Sequence, residues 1–312
     1  MAAQPDDRQF AGTLTPDAPR RRQPTKRNAP FPWFGGKQAL VPSLLPLLPA
    51  HDTYVEIFGG AGSLLFAKHP CKLEVYNDID SELVNFFRVL RNPEQTAELQ
   101  RLLDLTPYAR EEWQDCRKHL TDGDDLVERA RRWFVLCYQS FSGGFRANSW
   151  RHNTSTAAGT MIPLGFRNAT ARLSTFTQRL ATVMVEHNDF AELIPAYDGP
   201  NVLYYADPPY LPETRKGGNY RHETTKADHV ALLELLTTCK GMVILSGYDS
   251  PLYQDYLADW RVVRVETISS AAGRTRHTGL QGGGSAQHQK RTECIWIKPN
   301  TKVQPSLWEG VA

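Results

Sequence analysis

The sequence predicts an α/β protein built around a mostly parallel sheet. Short runs rich in Val, Ile, Leu and Tyr recur along the chain, and several are nearly continuous in apolar residues, which is typical of strands covered on both faces. Helical patterns lie between several of these runs, and such alternation favours a parallel sheet with helices on both faces. The seven predicted strands are Thr53–Ile57, Leu73–Asn77, Val183–His187, Val202–Ala206, Met242–Ser246, Val262–Thr267 and Glu293–Lys298.

Three predicted helices accompany these strands. Ser63–Lys68 follows the first strand, Lys226–Cys239 precedes the fifth, and Pro251–Asp259 follows the fifth. About a hundred residues separate the second strand from the third, and helical patterns fill most of that gap. We predict helices there at Ser81–Arg91, Pro93–Asp104, Pro107–Leu120, Asp124–Ser140 and Asn168–Ala181.

Local signals refine this insertion. Thr106 is a suitable cap for a helix that has Pro107 in its first turn. Between Ser142 and Phe166 the chain is rich in Gly, Asn and Thr, which predicts a hairpin or a long loop. We therefore predict a mainly helical second domain, 81–181, inserted into a catalytic domain formed by 28–80 and 182–303. A disordered leader, 1–27, and a short tail, 304–312, complete the chain.

Composition excludes several classes of protein. The chain has 312 residues, of which 41% are hydrophobic and 22% charged, so a large core is expected. Five Cys without CxxC spacing argue against zinc and against a disulfide scaffold, and the His residues show no ligand-like spacing, so no metal is expected. No apolar stretch approaches ~20 residues and no apolar signal core is visible, which favours a cytoplasmic protein with reduced thiols and no membrane contact.

The distribution of charge says more than the formal net charge of +2. From Arg129 to Val185 the chain has eight Arg but no Lys, Asp or Glu. A second acid-free stretch, Thr267–Thr292, contains Arg274 and Arg276 and is expected to be a mobile loop that closes on a phosphate-lined partner. Such segments suit a partner lined with phosphates, although a solvated basic face is the alternative.

The most specific motif is Asp207-Pro208-Pro209-Tyr210 at the end of the fourth strand. Ligands of open α/β sheets bind beyond the carboxyl ends of strands, so this position suits a site. An exocyclic aromatic amine is a poor nucleophile because its lone pair is delocalised into the ring. The Asp207 carboxylate and the Pro208 carbonyl could each accept one N–H and free that lone pair, while Tyr210 offers a stacking face. A strand that ends in a Pro-rich turn with a capping Asp is the alternative.

A Gly-rich turn follows the first strand in Glu56-Ile-Phe58-Gly59-Gly60-Ala-Gly62-Ser63. Its glycines allow a ligand to approach the backbone closely. Acids follow the second strand, where Asp78 is expected to hold ribose hydroxyls, and Asp80 either shares that role or caps a helix.

Two further segments are candidate cofactor contacts. Before the first strand, Trp33 could pack on a cofactor and Lys37 could pair with a carboxylate, or they are a core Trp and a surface Lys. After the third strand, Asp189 and Phe190 could bind an adenine amino group and ring, or they are a loop acid and a core Phe.

Together, these motifs in this order resemble the Dam-like adenine-specific (N6) DNA methyltransferases over roughly residues 30 to 300. The resemblance implies a Rossmann-like seven-stranded methyltransferase sheet with its last strand antiparallel, and a target-recognition domain inserted before the Asp-Pro-Pro-Tyr motif. It implies S-adenosylmethionine as cofactor and double-stranded DNA as partner, with the enzyme acting as a monomer or homodimer in the cytoplasm. The expected reaction is N6-methylation of an adenine flipped out of the duplex, by an enzyme that is either an orphan or part of a restriction–modification system.

The resemblance also assigns residues. The catalytic set is Asp207, Pro208, Pro209 and Tyr210. The cofactor set is Trp33, Gly35, Gly36, Lys37, Glu56, Phe58, Gly59, Gly60, Gly62, Ser63, Asp78, Asp189, Phe190 and Asp207. A DNA-reading hairpin is expected at 141–168, and the DNA set is Phe141, Arg146, Asn148, Arg151, Pro163, Arg167, Arg172, Arg274 and Arg276. Ala147 departs from the family, in which Tyr is frequent there, so the target sequence does not carry over.

Other functions stay open at this stage. RNA adenine, or another planar amine or amide, is an alternative substrate. Enzymes that methylate glutamine usually carry Asn at the position of Asp207, and cytosine-N4 enzymes usually carry Ser. A DNA-binding regulator without catalysis could retain the same fold. A dinucleotide-binding oxidoreductase fits least, because the Gly spacing differs from the dinucleotide pattern.

Overall fold

Seven strands form one mixed sheet in the computed structural model, which describes residues 28–140, 150–152, 161–214, 221–268 and 290–301. The strand order is β3-β2-β1-β4-β5-β7-β6, and β7 alone runs antiparallel to its neighbours. The predicted α/β class, strand number and reversed last strand are confirmed. The strands are β1 (Thr53–Glu56), β2 (Leu73–Asn77), β3 (Val183–Glu186), β4 (Val202–Ala206), β5 (Met242–Gly247), β6 (Arg261–Ile268) and β7 (Lys290–Ile297).

Helices cover both faces of this sheet. Alternate side chains of each central strand point to opposite faces, so Tyr54 and Tyr76 lie in one apolar cluster while Val55 and Val75 lie in the other. The first seven helices pack on the first cluster and the last three on the second. The helices are α1 (Val41–Leu44), α2 (Ser81–Arg91), α3 (Pro93–Leu105), α4 (Arg110–Lys118), α5 (Leu126–Gln139), α6 (Met161–Thr170), α7 (Leu173–Leu180), α8 (Phe190–Tyr197), α9 (Lys226–Thr238) and α10 (Pro251–Tyr256).

The insertion between β2 and β3 is helical in its described part, as expected. Its helices α2 and α5 are not separate from the sheet, because Phe86 and Trp133 are fully buried in the same cluster as Phe31 and Tyr76. The division into two domains therefore stays a prediction. One hydrophobic core extends across the predicted boundary between them. No helix in the described ranges is both long and apolar enough to span a bilayer.

The predicted helix Ser63–Lys68 is wrong, and the segment forms turns instead. The backbone N–H of Leu65 donates to Oε2 of Glu56 at 3.1 Å, which takes this donor out of a helical hydrogen-bond ladder. Pro70 lies just beyond, and a proline disfavours the helical conformation in the residue before it.

The expected start of the fourth helix is also wrong. Thr106 ends α3, where its hydroxyl donates to the carbonyl of Leu102 at 2.8 Å, and α4 begins only at Arg110. The carbonyl of Pro107 instead accepts a bond from the side-chain amide of Gln139, at the end of α5. Tertiary contacts therefore override a good local start signal.

The loop expected over Ser142–Phe166 is wrong at its end, where Met161–Thr170 is a helix. Phe166 is buried against Phe134 and Tyr138 of α5, and this packing outweighs the Gly and Thr content of the segment. Pro163 lies in the first turn of α6, where its missing N–H has no partner within the helix to lose. The predicted helix Asn168–Ala181 is in fact the end of α6 and then α7, which are separated at Ala171 and Arg172.

Candidate active site

A cavity of about 480 Å³ opens beyond the carboxyl ends of β1, β2 and β4. Since β1 and β4 are adjacent while their connections lead to opposite sides of the sheet, the cavity lies at the switch point where such folds bind ligands. All predicted cofactor residues line it except Gly62, which packs against Phe66 instead. Asp207 and Pro209 of the predicted catalytic set also line the cavity.

The turn after β1 forms the floor of the cavity. The N–H of Gly59 donates to the carbonyl of Asn77, and the N–H of Gly60 donates to Oδ2 of Asp78 at 2.9 Å, so the turn is tied to the end of β2. A Cβ on Gly59 would lie 2.1 Å from the ring of Tyr76, and Gly60 has a φ of 50°. These two positions therefore require glycine for packing and for conformation.

Glu56 is the last residue of β1 and is fully buried beneath the cavity. Its Oε2 accepts hydrogen bonds from the Tyr54 hydroxyl at 2.8 Å and from the Leu65 N–H. Burial raises the pKa of Glu56 to about 8, because the charged form is poorly solvated there. At neutral pH this carboxyl therefore favours its protonated form.

Two acids follow β2 and line the cavity. Asp78 accepts N–H groups from Gly60 and Asp80, and burial raises its pKa to about 6. Asp80 caps α2 by accepting from Glu82 and Leu83, which fits one of its two predicted roles. Its Oδ1 also pairs with Arg221 at 2.9 Å, while its buried Oδ2 has no hydrogen-bond partner among the described residues. Ribose binding by Asp78 stays a prediction.

Trp33 and Lys37 come from the segment before β1. The Trp33 ring stacks on Trp133 at 5.9 Å and lies next to Gly60. Lys37 is buried, its ammonium donates to the Gly35 carbonyl at 2.9 Å, and it lies 2.9 Å from Oδ1 of Asp207. Lys37 is thus not a surface residue but pairs with a carboxylate, that of the predicted catalytic acid.

Asp207 lies where β4 ends. Burial raises the pKa of its carboxyl to about 6, against the opposing charge of Lys37. Although Lys37 is at ion-pair distance, Oδ1 has no well-directed hydrogen-bond donor among the described residues. Oδ1 is itself buried against Lys37, while the Asp207 side chain as a whole is 15% exposed and lines the cavity, so the carboxylate is placed to receive an N–H from a ligand.

The ring of Tyr210 is less accessible from the cavity than its predicted stacking role requires. Its ring is 5% exposed and does not line the cavity, with the Tyr248 ring 4.5 Å away and the Lys37 ammonium 4.6 Å from its centre. Its hydroxyl donates to Oε2 of Glu293, a buried acid of β7. Stacking of a base on Tyr210 stays a prediction, and so does the role of the Pro208 carbonyl.

Sequence reasoning missed the residues that form hydrogen bonds with the loop Asp207–Tyr210, which follows β4. His229 of α9 is 1% exposed, and its Nε2 lies 3.0 Å from the carbonyl oxygen of Pro209. Thr224 donates to the same carbonyl at 2.8 Å, and the Tyr253 hydroxyl lies 2.9 Å from Nδ1 of His229. No signal in a single sequence separates His229 from the other His residues, since its partners are distant along the chain.

The segment after β3 forms another wall. Asp189 caps α8 by accepting from the N–H of Ala191 at 2.8 Å, and it lines the cavity. Phe190 lies 6.0 Å from Phe58, so two aromatic rings flank this part of the cavity. Asn77 fixes the segment through hydrogen bonds with the backbone of Asn188. The two residues could therefore still contact an adenine, as predicted.

The predicted DNA contacts are only partly within the described residues. Arg151, Pro163 and Arg167 are exposed, Arg172 is half-buried, and Pro163 and Arg167 lie on α6 instead of a hairpin. Ser140 and Trp150 form one antiparallel bridge, as the base of a hairpin would. Phe141, Arg146, Asn148, Arg274 and Arg276 lie outside the described residues, as does most of the predicted loop Thr267–Thr292.

Half of the arginines in the acid-free run Arg129–Val185 form ion pairs within the protein, so they are not available to a partner as the sequence suggested. Four of its eight arginines pair with acids outside the run: folding brings Glu74, Glu82 and Glu112 to them, and Glu128 directly precedes the run on α5. Arg129 pairs with Glu82, Arg131 with Glu112 and Glu128, Arg132 with Glu128, and Arg179 with Glu74.

Comparison with known proteins agrees with this geometry. A family model described as D12 class N6 adenine-specific DNA methyltransferase matches residues 33–271. The Type II methyltransferase M1.LlaDCHI of Lactococcus lactis subsp. cremoris is 31% identical over 287 residues, which cover 84% of this chain and 92% of that protein. The DNA adenine methylase of Salmonella typhi is 26% identical over 262 residues, and that of Escherichia coli (strain K12) is 24% identical; each alignment covers 80% of this chain and 92% of the relative.

Proposed function

This chain belongs to the D12 class N6 adenine-specific DNA methyltransferases, and we propose that the side chain of Asp207 binds the adenine that the enzyme methylates. The observation that carries the proposal is the Asp207 carboxylate, which lines the cavity at the end of β4, is 15% exposed, and is paired through Oδ1 with Lys37 at 2.9 Å. The roles that we propose for the cofactor-binding and substrate-binding residues rest on this geometry and on membership of the family.

We propose S-adenosylmethionine as the methyl donor. The cavity is lined by five Asp and two Glu against Lys37 and Arg221, and this charge balance suits a ligand whose sulfonium and ammonium outweigh one carboxylate. Asp78 lines the cavity after β2 and could accept a ribose hydroxyl there. Ile79, Phe58 and Phe190 provide apolar surface for a purine. The residues present therefore fit this cofactor, which would supply a methyl group on a positively charged sulfur.

The substrate amino group would be held by two acceptors, Asp207 and the backbone carbonyl of Pro208. Each accepts one N–H, so the N6 lone pair is freed from the ring and directed at the methyl carbon. The bound cofactor would supply the methyl group to N6, while Asp207 would stabilise the positive charge on N6 and accept the departing proton. Stacking on Tyr210 requires the Lys37 ammonium to move from the face of that ring.

We further propose that residues 81–181 are the target-recognition domain for duplex DNA. A stacked base is out of reach of a cavity at the end of a sheet, so the adenine must be flipped out, at a cost of a few kcal/mol. Arg151 and Arg167 are exposed and could contact phosphates or base edges.

The test is replacement of Asp207 by Ala, with Asp207→Asn as the isosteric variant. Because the Ala variant loses both the charge and the acceptor, methyl transfer should fall roughly 10³-fold or more. S-adenosylmethionine affinity, measured by calorimetry, should change little. Product is measured by mass spectrometry of nucleosides after incubation with unmethylated duplex DNA and labelled cofactor.

Asp249→Ala is the matched control. Asp249 follows the neighbouring strand β5 and is half-exposed, with Arg264 at 3.6 Å. It should retain near-normal turnover. Near-normal N6-methyladenine from Asp207→Ala would contradict the mechanism.

A further inference from the structure

The arginines of the insertion fall into two groups. Arg129, Arg131 and Arg132 of α5 are tied to acids, as described above. Arg110 and Arg151 differ from them, since both are exposed and neither is within ion-pair distance of an acid in the ranges that the structure describes. Arg88, Arg91 and Arg167 of the insertion are likewise exposed without an ion pair among the described residues, so Arg110 and Arg151 are set apart by their place next to Trp150 and not by their charge alone.

One of these arginines, Arg110, lies beside the indole ring of Trp150, and Arg151 is the residue that follows this tryptophan. The Arg110 guanidinium lies 5.0 Å from the centre of the Trp150 ring, in a cation–π contact. The His152 ring stacks on the same indole at 5.7 Å with an interplanar angle of 8°. We call Arg110, Trp150, Arg151 and His152 the tryptophan platform.

The platform is held rigidly from beneath. The indole N–H of Trp150 donates to Oε1 of Gln139 at 3.2 Å, and the N–H of Arg151 donates to the Gln139 carbonyl at 2.6 Å. The Tyr108 hydroxyl donates to the carbonyl of Arg151 at 2.7 Å. These bonds hold the indole and the backbone of Arg151, so the ring on which the Arg110 guanidinium packs is in place before a partner binds.

We propose that the tryptophan platform binds backbone phosphates of duplex DNA. The planar guanidinium of Arg110 presents donors in the fork geometry that phosphate oxygens accept, and Arg151 adds a second exposed cation on the residue after Trp150. The platform lies at the C-terminal end of α5, where Tyr138 also donates to the carbonyl of Pro30, just before the segment that lines the cavity. DNA held there would lie near the active site.

This inference rests on the proposed function only in taking duplex DNA as the partner. Contacts to phosphate carry no sequence information, so the platform should bind any duplex and set position and affinity. The recognition of bases would come from other residues.

The experiment measures binding of a fluorescently labelled duplex of arbitrary sequence to the full chain by anisotropy, over a range of salt concentrations. Each lost phosphate contact should lower the slope of log affinity against log salt by about one, so Arg110→Ala with Arg151→Ala should lower it by about two. The dissociation constant of the double variant should rise roughly tenfold or more at physiological salt. Arg110→Lys, which keeps the charge but not the planar stack, should have a smaller effect.

Arg101→Ala is the matched control, because Arg101 is exposed on α3 of the same insertion but pairs with Glu98 at 2.7 Å. An unchanged slope in the double variant, or an equal loss in Arg101→Ala, would overturn the proposal. Thermal melting confirms that each variant is folded. The two readouts separate the proposals: failure of the platform would appear in the salt dependence of DNA binding by the double variant, whereas failure of the catalytic proposal would appear in the methylation product of Asp207→Ala.

Discussion

At the scale of single residues, the ion pair between Lys37 and Asp207 sets the charge of the proposed catalytic acid. Burial favours the neutral carboxyl and raises the pKa of Asp207 to about 6, while the ammonium 2.9 Å away favours the carboxylate. Only the carboxylate can accept an N–H through both oxygens and stabilise positive charge on N6. Lys37 therefore keeps Asp207 ionised at neutral pH.

Removal of this cation should move the acidic limb of the pH–rate profile. In the wild type, kcat should fall as the pH drops through about 6, because Asp207 is then protonated. In Lys37→Met the pKa of Asp207 should be higher, so the limb should shift to higher pH, with a greater loss at pH 6.5 than at pH 8.5. The measurement is kcat at saturating DNA and cofactor between pH 5.5 and 9, and coincident limbs would disprove the role assigned to Lys37.

At the scale of elements, two helices hold the catalytic loop in place. The rings of Pro208 and Pro209 fix φ at both residues, so the main remaining freedom of the loop is rotation about ψ. His229 of α9 and Thr224 both contact the Pro209 carbonyl, while Tyr253 of α10 contacts the far side of the His229 ring. These contacts fix the orientation of the peptide between Pro209 and Tyr210.

His229 should therefore act as a positioning residue. His229→Ala should lower kcat by roughly 10- to 100-fold, because a loop that is slightly misplaced loses alignment of the acceptors. The affinity for S-adenosylmethionine should change little, and His229→Gln should restore part of the rate by donating to the same carbonyl.

Tyr204→Phe is the control for general destabilisation, since the Tyr204 hydroxyl makes a comparable buried bond, to Ile194, on the same face of the sheet. Steady-state kinetics and thermal melting are measured on each variant. An equal loss of kcat in both, in proportion to lost stability, would show that His229 is merely structural.

Helices and strands that depend on a local pattern of apolar residues were predictable from the sequence. Those that depend on contacts with residues distant along the chain were not. The run Val202–Ala206 is a strand with the bounds expected, because five consecutive apolar residues suit a strand buried on both faces. The Ser63–Lys68 helix failed because Glu56 takes a backbone donor, and α6 was missed because the packing of Phe166 outweighs its poor composition.

The same distinction holds for the candidate site. Residues that follow strands, such as Asp78 and Asp207, could be placed from order alone, because parallel strands bring their carboxyl ends to one edge. The contacts of Arg221 with Asp80 and of Tyr210 with Glu293 join residues 141 and 83 positions apart. No local pattern encodes such pairs, since they depend on how the elements pack.

At the scale of the whole molecule, one cavity concentrates three carboxyls with raised pKa values. Burial raises the pKa of Glu56 to about 8 and those of Asp78 and Asp207 to about 6. The folded state therefore binds protons that the unfolded chain releases at lower pH. Stability from these groups is present below their ordinary pKa values and is lost as the pH rises through the raised ones.

Glu56→Gln should flatten this dependence. Gln can accept the same bonds from Tyr54 and Leu65 without titrating, so the variant should melt at a higher temperature than wild type at pH 8.5 and close to wild type at pH 5. Differential scanning calorimetry of the ligand-free chain from pH 5 to 8.5 checks this. The exposed Glu111→Gln is the control, and parallel melting curves for wild type and Glu56→Gln would refute the prediction.

The pairing of β2 with β3 has an evolutionary consequence. The hundred residues between them leave the sheet from one strand and rejoin it at the adjacent one, with Asn77 opposite Glu186. An insertion that starts and ends on adjacent strands can change in sequence or length, or be exchanged among relatives, without altering the geometry of the cavity. Because α2 and α5 share the buried core with Phe31 and Tyr76, only the outer helices have this freedom. If the insertion recognises the target, as proposed, new target specificities can arise in its outer helices while selection keeps the shared core and the cavity constant.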